Sequence, residues 1–259
     1  MKKINNIDRF EEVKDITEQQ ISRRTIISLS IFFLCFGLAS AFFIWVFNQK
    51  QGDDNIQPTL RKSHEFNDGL FSSLFSKSKT EKEYKPEDAV HKPRVNGKVG
   101  MDGVLDTTTW RLKLVRAAGD TQYITINELK ALPKTDVIFD FKCVEGWSEY
   151  THWGGVRFAD FMNKYNLNAQ MLKQYVGLIT PDSTYYVGND MASMLQPQTI
   201  LCYEMNGKPL PQDQGYPLRL IIPVKYGIKH LKRIGLMYFS DTKPRDYWAE
   251  RGYDYYSGL

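Results

Sequence analysis

From Ile26 to Phe47 the chain runs for 22 residues without a charged side chain, and its only hydroxyls there are Ser28, Ser30 and Ser40. A helix of that length spans ~33 Å, enough to cross the hydrocarbon core of a bilayer. A buried helix of a globular protein keeps a polar stripe, and this segment has none, so a transmembrane helix is expected over 26–47. Lys2, Lys3, Arg9, Lys14, Arg23 and Arg24 precede it, whereas only Lys50 follows closely, with Arg61 and Lys62 farther on. That bias keeps residues 1–25 in the cytoplasm and places the rest on the periplasmic side of the inner membrane, in a single-pass topology. Ser22-Arg23-Arg24-Thr25-Ile26-Ile27 resembles a twin-arginine export signal. Ala39-Ser40-Ala41 has the form of a signal peptidase site, and cleavage there would release a soluble protein. The apolar run continues through Phe42, Phe43, Ile44, Trp45, Val46 and Phe47, longer than a cleaved signal needs, which favours a retained anchor.

Residues 48–90 are polar and rich in Lys, Ser and Glu, and read as a linker. Within them Leu70, Phe71, Leu74 and Phe75 have the spacing of a short amphipathic helix. Its apolar face would dock on the domain or on the membrane surface, and the domain is the simpler host. Residues 91–259 form one further domain, long enough to bury a core. The chain as a whole is 42% hydrophobic and 25% charged, near soluble averages, and its net charge of +4 is too mild to indicate a nucleic-acid partner.

Trp110, Leu112 and Leu114 alternate with Arg111 and Lys113 as in a strand, Ala118-Gly119-Asp120 makes a turn, and 122–125 returns. Asn127 is placed to cap a short helix over 128–132, ended by Pro133. Val137, Phe139 and Phe141 alternate with polar residues in a strand that delivers Cys143 at its end. A helix is expected over 156–165, strands over 175–179, 199–205, 218–222 and 231–239, and a turn at Asn206-Gly207. Short strands mixed with short helices, without regular alternation, indicate an α+β fold.

The chain has three cysteines, too few and too odd in number for a disulfide framework. Cys35 lies in the apolar segment and Cys202 in a buried strand, where each is a small hydrophobe. Cys143 differs. It ends a strand, and Glu145, Gly146 and Trp147 follow. A thiolate there is a soft metal ligand that Lys142 and His152 would help hold deprotonated. A Cys-His hydrolase built on Cys143 and His152 lacks any third orienting group. A zinc site lacks a Cys-x-x-Cys and clustered histidines. Between Asp213 and Asp241 there are no acidic residues and five basic ones: Arg219, Lys225, Lys229, Lys232 and Arg233. Such a segment is either a solvated basic face or a loop wrapped around an anion, with Arg forking onto phosphate.

From Arg94 to about Tyr256 the chain resembles the molybdopterin-binding domain of the sulfite oxidase superfamily. The resemblance rests on the Cys143 segment, Trp153-Gly154-Gly155-Val156, the stretch from Pro217 to Lys232, and Tyr247-Trp248 with Gly252-Tyr253. It implies that superfamily's α+β fold and one molybdenum-molybdopterin cofactor, with Cys143 as the metal's thiolate ligand. It also implies cofactor contacts at Arg94, Asn96, Thr180, Gln214, Arg219, His230, Leu231 and Lys232. Asn96 stands where His is usual, and Gln214 where relatives use Asn. Sulfite oxidases place arginines after the ligating Cys to hold an anion, whereas Val144-Glu145-Gly146 follows here. A carboxylate so close would repel sulfite. Cys-Val-Glu and the compact size look more like the catalytic subunit of bacterial methionine-sulfoxide reductases, which implies reduction of a small-molecule or protein-bound oxide, with Cys143 and Glu145 catalytic. That type draws electrons from a membrane cytochrome or a quinone-linked donor. Sulfite-type oxidation, or a membrane-tethered binding domain without turnover, are the alternatives.

Overall fold

The computed structural model describes residues 17–52, 56–74, 80–95, 97–103, 105–106 and 108–258, the side chains of 71–74 excepted. Met1–Lys50 and Gln51–Leu259 are separate compact units. The described part of the first is dominated by one helix, α1 (Glu18–Phe47), long and apolar enough to cross a membrane. It begins before the apolar run because Thr17 and Gln20 close a capping box over its first turn.

In the second unit, α2 (Pro58–Leu74) is followed by β1 (Leu112–Ala117), β2 (Asp120–Ile124), α3 (Ile126–Lys130) and β3 (Lys134–Lys142). Next come β4 (Ser148–Arg157), α4 (Phe158–Lys164), α5 (Asn168–Met171), β5 (Tyr175–Ile179) and β6 (Tyr186–Asp190). α6 (Met191–Met194), β7 (Ile200–Met205), β8 (Lys208–Pro209), β9 (Arg219–Ile221) and β10 (Leu236–Ser240) complete the order. One sheet runs β2-β1-β10-β5-β6, in which β1 and β10 pair in parallel and the other neighbours are antiparallel. The other runs β3-β4-β7-β8, with β9 also on β7. The fold is α+β, as expected.

Alternation makes the core. Leu112, Leu114, Val176, Leu178 and Met237 from the first sheet pack with Phe158, Phe161 and Met162 of α4. Val137, Phe139 and Phe141 of β3 meet Trp153, Cys202 and Ile221 in a second cluster. The Trp153-Gly154-Gly155 sequence is a packing motif. β4 and β7 approach so closely that a Cβ on Gly155 would lie 2.2 Å from the Leu201 carbonyl oxygen.

Several boundaries differ from expectation. The α3 cap is Thr125, not Asn127, because Thr125 and Glu128 form a reciprocal capping box. Val156 and Arg157 stay in strand, paired to Leu201 and Ile200, so the helix starts at Phe158. The last strand starts at Leu236 rather than Leu231. Arg233 sits at φ 53, and the Leu231 carbonyl accepts from Leu220 N, so the chain bends there.

The stretch read as a linker is structured in its described parts. Tyr84 N donates to Ile138 O at 3.0 Å and Val90 N to Tyr150 O at 3.0 Å, which straps residues 80–95 across β3 and β4. α2 docks by its polar side: Arg61 Nη2 donates to Ala249 O at 2.6 Å, and Lys243 Nζ lies 3.3 Å from Asp68. His64 Nδ1 is 4.0 Å from Asp254. The apolar docking face expected at Leu70 is instead exposed; Phe75 lies outside the described residues.

Burial first, then a hydrogen bond to Asp254 and its charge, push Asp68 up to about 6, against the opposing pull of Lys243. A carboxyl whose docked pKa is raised favours docking while protonated, so the contribution is complete below its ordinary value and is lost as pH rises through about 6. The α2 amides should therefore exchange hydrogen faster at about pH 7.5 than at about pH 5, after correction for intrinsic rates. Asp68→Asn should remove that difference; equal protection of the wild type at both pH values would contradict the account.

Candidate active site

β3 carries the chain to Cys143, and a tight turn returns it into β4. Gly146 N donates to Cys143 O at 3.1 Å and Cys143 N to Trp147 O at 2.9 Å. Gly146 takes φ +86, a conformation that L side chains rarely adopt. The turn leaves Cys143 5% exposed at the wall of a cleft of about 660 Å³, solvent mouth included. Cys143, Val144 and Glu145 form one wall, Gly227 and Ile228 another, and Trp248 and Tyr253 a third. Tyr185, His230, Lys232, Gly97 and Val99 complete it.

Burial pushes the Cys143 thiol up; the backbone N–H groups of Glu145 and Val144 and the charge of Arg94 pull the other way. A bound metal cation would deprotonate it outright. Lys142 and His152 take no part, contrary to expectation. Lys142 pairs with Glu81 at 3.4 Å, and His152 with Asp136 at 3.0 Å. His152 lies opposite Ile138, five residues back along β3, ~17 Å from Cys143 at strand spacing. That removes the Cys-His hydrolase reading.

Glu145 stands at the mouth. Its Oε2 accepts from Trp147 Nε1 at 2.9 Å and lies 3.9 Å from Arg94 Nη2. Arg94 also covers the Trp147 ring, at 4.9 Å. Trp147 is half-buried at this rim, whereas Trp153 is buried in the core.

Behind the cleft is a buried cation with unspent donors. Arg219 is 1% exposed and lies over Trp153 at 4.5 Å. Its Nη1 donates to Gln214 O and Oε1, both at 3.0 Å, while Nε and Nη2 are buried without a partner. Among the described residues no carboxylate pairs with it. Burial lowers it to about 10. Burial and then the Arg219 charge lower His230 to about 3 and Lys232 to about 7. Gln214 Nε2 bonds to the carbonyls of Pro93 and Arg94, at 3.2 and 3.4 Å, and so links Arg219 to the rim. Lys232 Nζ donates to Gly97 O and Asp213 O. Two unspent guanidinium donors, in a field strong enough to depress neighbouring cations, fit an anionic group such as a phosphate.

The other expected contacts are placed differently. His230 Nδ1 accepts from Ile222 N at 3.3 Å and Nε2 donates to Lys225 O at 3.0 Å, so the ring is neutral and both nitrogens are used. Leu231 is core. Thr180 Oγ1 donates to Asp182 at 2.6 Å and accepts from Tyr185 N at 3.1 Å, fastening the turn that leads to Tyr185. Asn96 lies outside the described residues, between cleft-lining Gly97 and strap residue Val95.

Tyr185 is a wall residue that sequence reasoning did not single out. Its OH donates to Ile228 O at 2.7 Å, and burial, then the charge of Asp246, push it up. The walls share a buried joint. Lys229 Nζ is 2.6 Å from Asp246 Oδ2, their side chains 1% and 3% exposed. Asp246 Oδ2 also accepts from Gly188 N at 3.2 Å, and Oδ1 from Trp248 N at 3.2 Å and Ala249 N at 3.0 Å. No run of sequence marks this joint.

A thiol on the wall of a cleft, with a buried arginine that keeps unspent donors, fits an enzyme that holds an anionic, metal-bearing cofactor. The sequence profile of the oxidoreductase molybdopterin binding domain matches residues 98–248, and the chain belongs to that family. It is 33% identical over 209 residues to the "Putative protein-methionine-sulfoxide reductase subunit YedZ1" of Azospira oryzae, covering 80% of this chain and 78% of that one. It is 29% identical over 161 residues to the protein-methionine-sulfoxide reductase catalytic subunit MsrP of Xanthomonas campestris pv. campestris, covering 56% and 49%. It is 28% identical over 180 residues to rat mitochondrial sulfite oxidase, covering 59% and 33%. The matched region thus spans about half of that MsrP and a third of the rat enzyme.

Arg219→Met keeps the stem packing and removes the charge. The cofactor should then be held more weakly by roughly 2–5 kcal/mol, the cost of stripping one partner from a buried charged hydrogen bond. Molybdenum and pterin content after gel filtration reads this, and unchanged content would exclude Arg219 as the anion clamp. The Tm of the cofactor-free protein should not fall in parallel, because a buried charge lacking a counter-ion is itself destabilising.

Proposed function

We propose that this chain is the membrane-anchored catalytic component of a periplasmic reductase that removes an oxygen atom from a sulfoxide or a related neutral oxide. The observation that carries the reading is Glu145, two residues from Cys143 and on the wall of the same cleft. A carboxylate at that distance opposes a sulfite anion and tolerates an uncharged oxide. Val99, Val144, Ile228 and Trp248 give the cleft apolar surface suited to a thioether. The names of the Azospira and Xanthomonas relatives agree with this.

When bound, the molybdenum cofactor supplies the two-electron redox change. Cys143 would hold its metal, Arg219, oriented by Gln214, would hold its anionic end, and Lys232, with Gly97 beside it, would line the cleft. Arg94 acts at the rim through Glu145. His230 is a neutral spacer between Phe139, Phe141 and the cleft. Thr180 and Leu231 position backbone. Reduction of an oxide consumes two electrons and two protons and releases the thioether and water. Glu145, 61% exposed at the mouth, is the group placed to pass protons from solvent to the departing oxygen. Electrons come from a membrane cytochrome or a quinone-linked donor. α1 anchors the chain in the inner membrane with the catalytic domain outside.

Purified protein should reduce methionine sulfoxide with dithionite-reduced dye and should not reduce dye with sulfite. Cys143→Ser should lose turnover while remaining folded, and Glu145→Gln should lower kcat roughly 10²-fold or more. Sulfite oxidation without sulfoxide reduction would overturn the reading.

A pterin protein that folds around its cofactor must cross the membrane already folded, which is the use of Arg23 and Arg24. Arg23→Lys with Arg24→Lys keeps the charge and removes the guanidinium pair. The double variant should accumulate folded and metal-loaded in the cytoplasm, while the wild type fractionates with membranes and is open to external protease. Normal export of the double variant would leave a plain anchor; soluble periplasmic wild type would indicate cleavage near Ala41.

A further inference from the structure

α2 is amphipathic in the reverse of the usual sense. A helix that packs on a domain turns its apolar face inward. Here Arg61, His64 and Asp68 face the domain, on Ala249, Asp254 and Lys243. Phe66 is 71% exposed and Leu70 48%, and Leu74 follows at the same spacing. At ~100° per residue, positions 61, 64 and 68 fall within about 60° of one another, and positions 66, 70 and 74 form an arc centred roughly 150° away. Turning the apolar arc inward would break all three polar contacts.

We propose that α2 is an interfacial helix whose Phe66–Leu70 face lies in the lipid surface of the membrane that α1 enters. The inference rests on the reading of α1 as an anchor. Ten residues, 48–57, join the two helices. Fully extended, that tether reaches roughly 36 Å at most. Phe66 and Leu70 supply the apolar insertion, which does not lean on charge: residues 48–74 hold Lys50, Arg61 and Lys62 against Asp53, Asp54, Glu65 and Asp68. The domain occupies the polar side of α2 and lipid takes the other, so the helix is a plate between them. The same helix holds Ala249 and Asp254, in the segment that carries Trp248 and Tyr253 of the cleft wall.

The full chain, reconstituted in nanodiscs of phosphatidylethanolamine and phosphatidylglycerol, tests this. The photoreactive residue p-benzoylphenylalanine is placed one at a time at Trp45, Glu65, Phe66 and Leu70, and molybdenum content confirms that each protein is folded. After illumination, mass spectrometry should find lipid adducts at positions 66 and 70 as at 45, and much less at 65. Adducts at 45 with none at 66 and 70 would overturn the interfacial helix and leave the anchor standing. Crosslinks from 66 or 70 to a second copy of the chain would overturn it in favour of a dimer face. Absence of lipid adducts at 45 would overturn the anchor itself, and the interfacial reading with it.

Discussion

The carboxylate of Asp246 takes four donors, from Lys229 Nζ and from the backbones of Gly188, Trp248 and Ala249, almost wholly out of water. Strand β6, the 227–229 turn and the C-terminal segment are thereby fixed to one another at a single point. Two of these carry cleft walls. A buried ion pair gains little over well-packed apolar side chains, yet removing one partner costs about 3–5 kcal/mol. Set against a total stability of about 5–15 kcal/mol, that makes the joint a matter of both folding and site geometry. Its strict directionality is what an apolar substitute would lack: it sets where Ile228 and Trp248 stand across from Cys143.

Arg219 is the complementary case, a charge placed without its partner. Its buried Nε and Nη2 have no acceptor. The field it creates is felt by His230 and Lys232. The protein alone therefore holds a buried, unpaired charge that an anionic group bound there would relieve, and such binding would stabilise the surrounding strands.

The strongest local signals were legible in the sequence. The uninterrupted apolar run is α1, the alternation at Val137, Phe139 and Phe141 is β3, and the cysteine expected at that strand's end lines a cleft. What was not legible depends on partners distant in the chain. β4 reads poorly because its two glycines and mixed polarity make sense only against β7. β6 holds Gly188 and Asn189, which local propensity disfavours in a strand. Tyr185 drew no notice because nothing nearby marks it; its role follows from Thr180 and Ile228, the latter 43 residues away. The helix α2 was foreseen from its apolar residues, but its orientation was reversed, since Asp68 and Arg61 have partners near the other end of the chain.

The strap of residues 80–95 has one more consequence. β3 is the outer strand of its sheet, and an outer strand offers a row of unpaired backbone donors and acceptors to any similar strand on another molecule. Tyr84 occupies the Ile138 carbonyl, and Tyr84 and Tyr150 stack with ring centroids 4.2 Å apart over that border. Lys82, 5.0 Å from the Tyr84 ring, adds charge along it. Residues 80–95 thus also guard this edge against intermolecular strand pairing, and their loss would show first as poor solubility, before any change in chemistry.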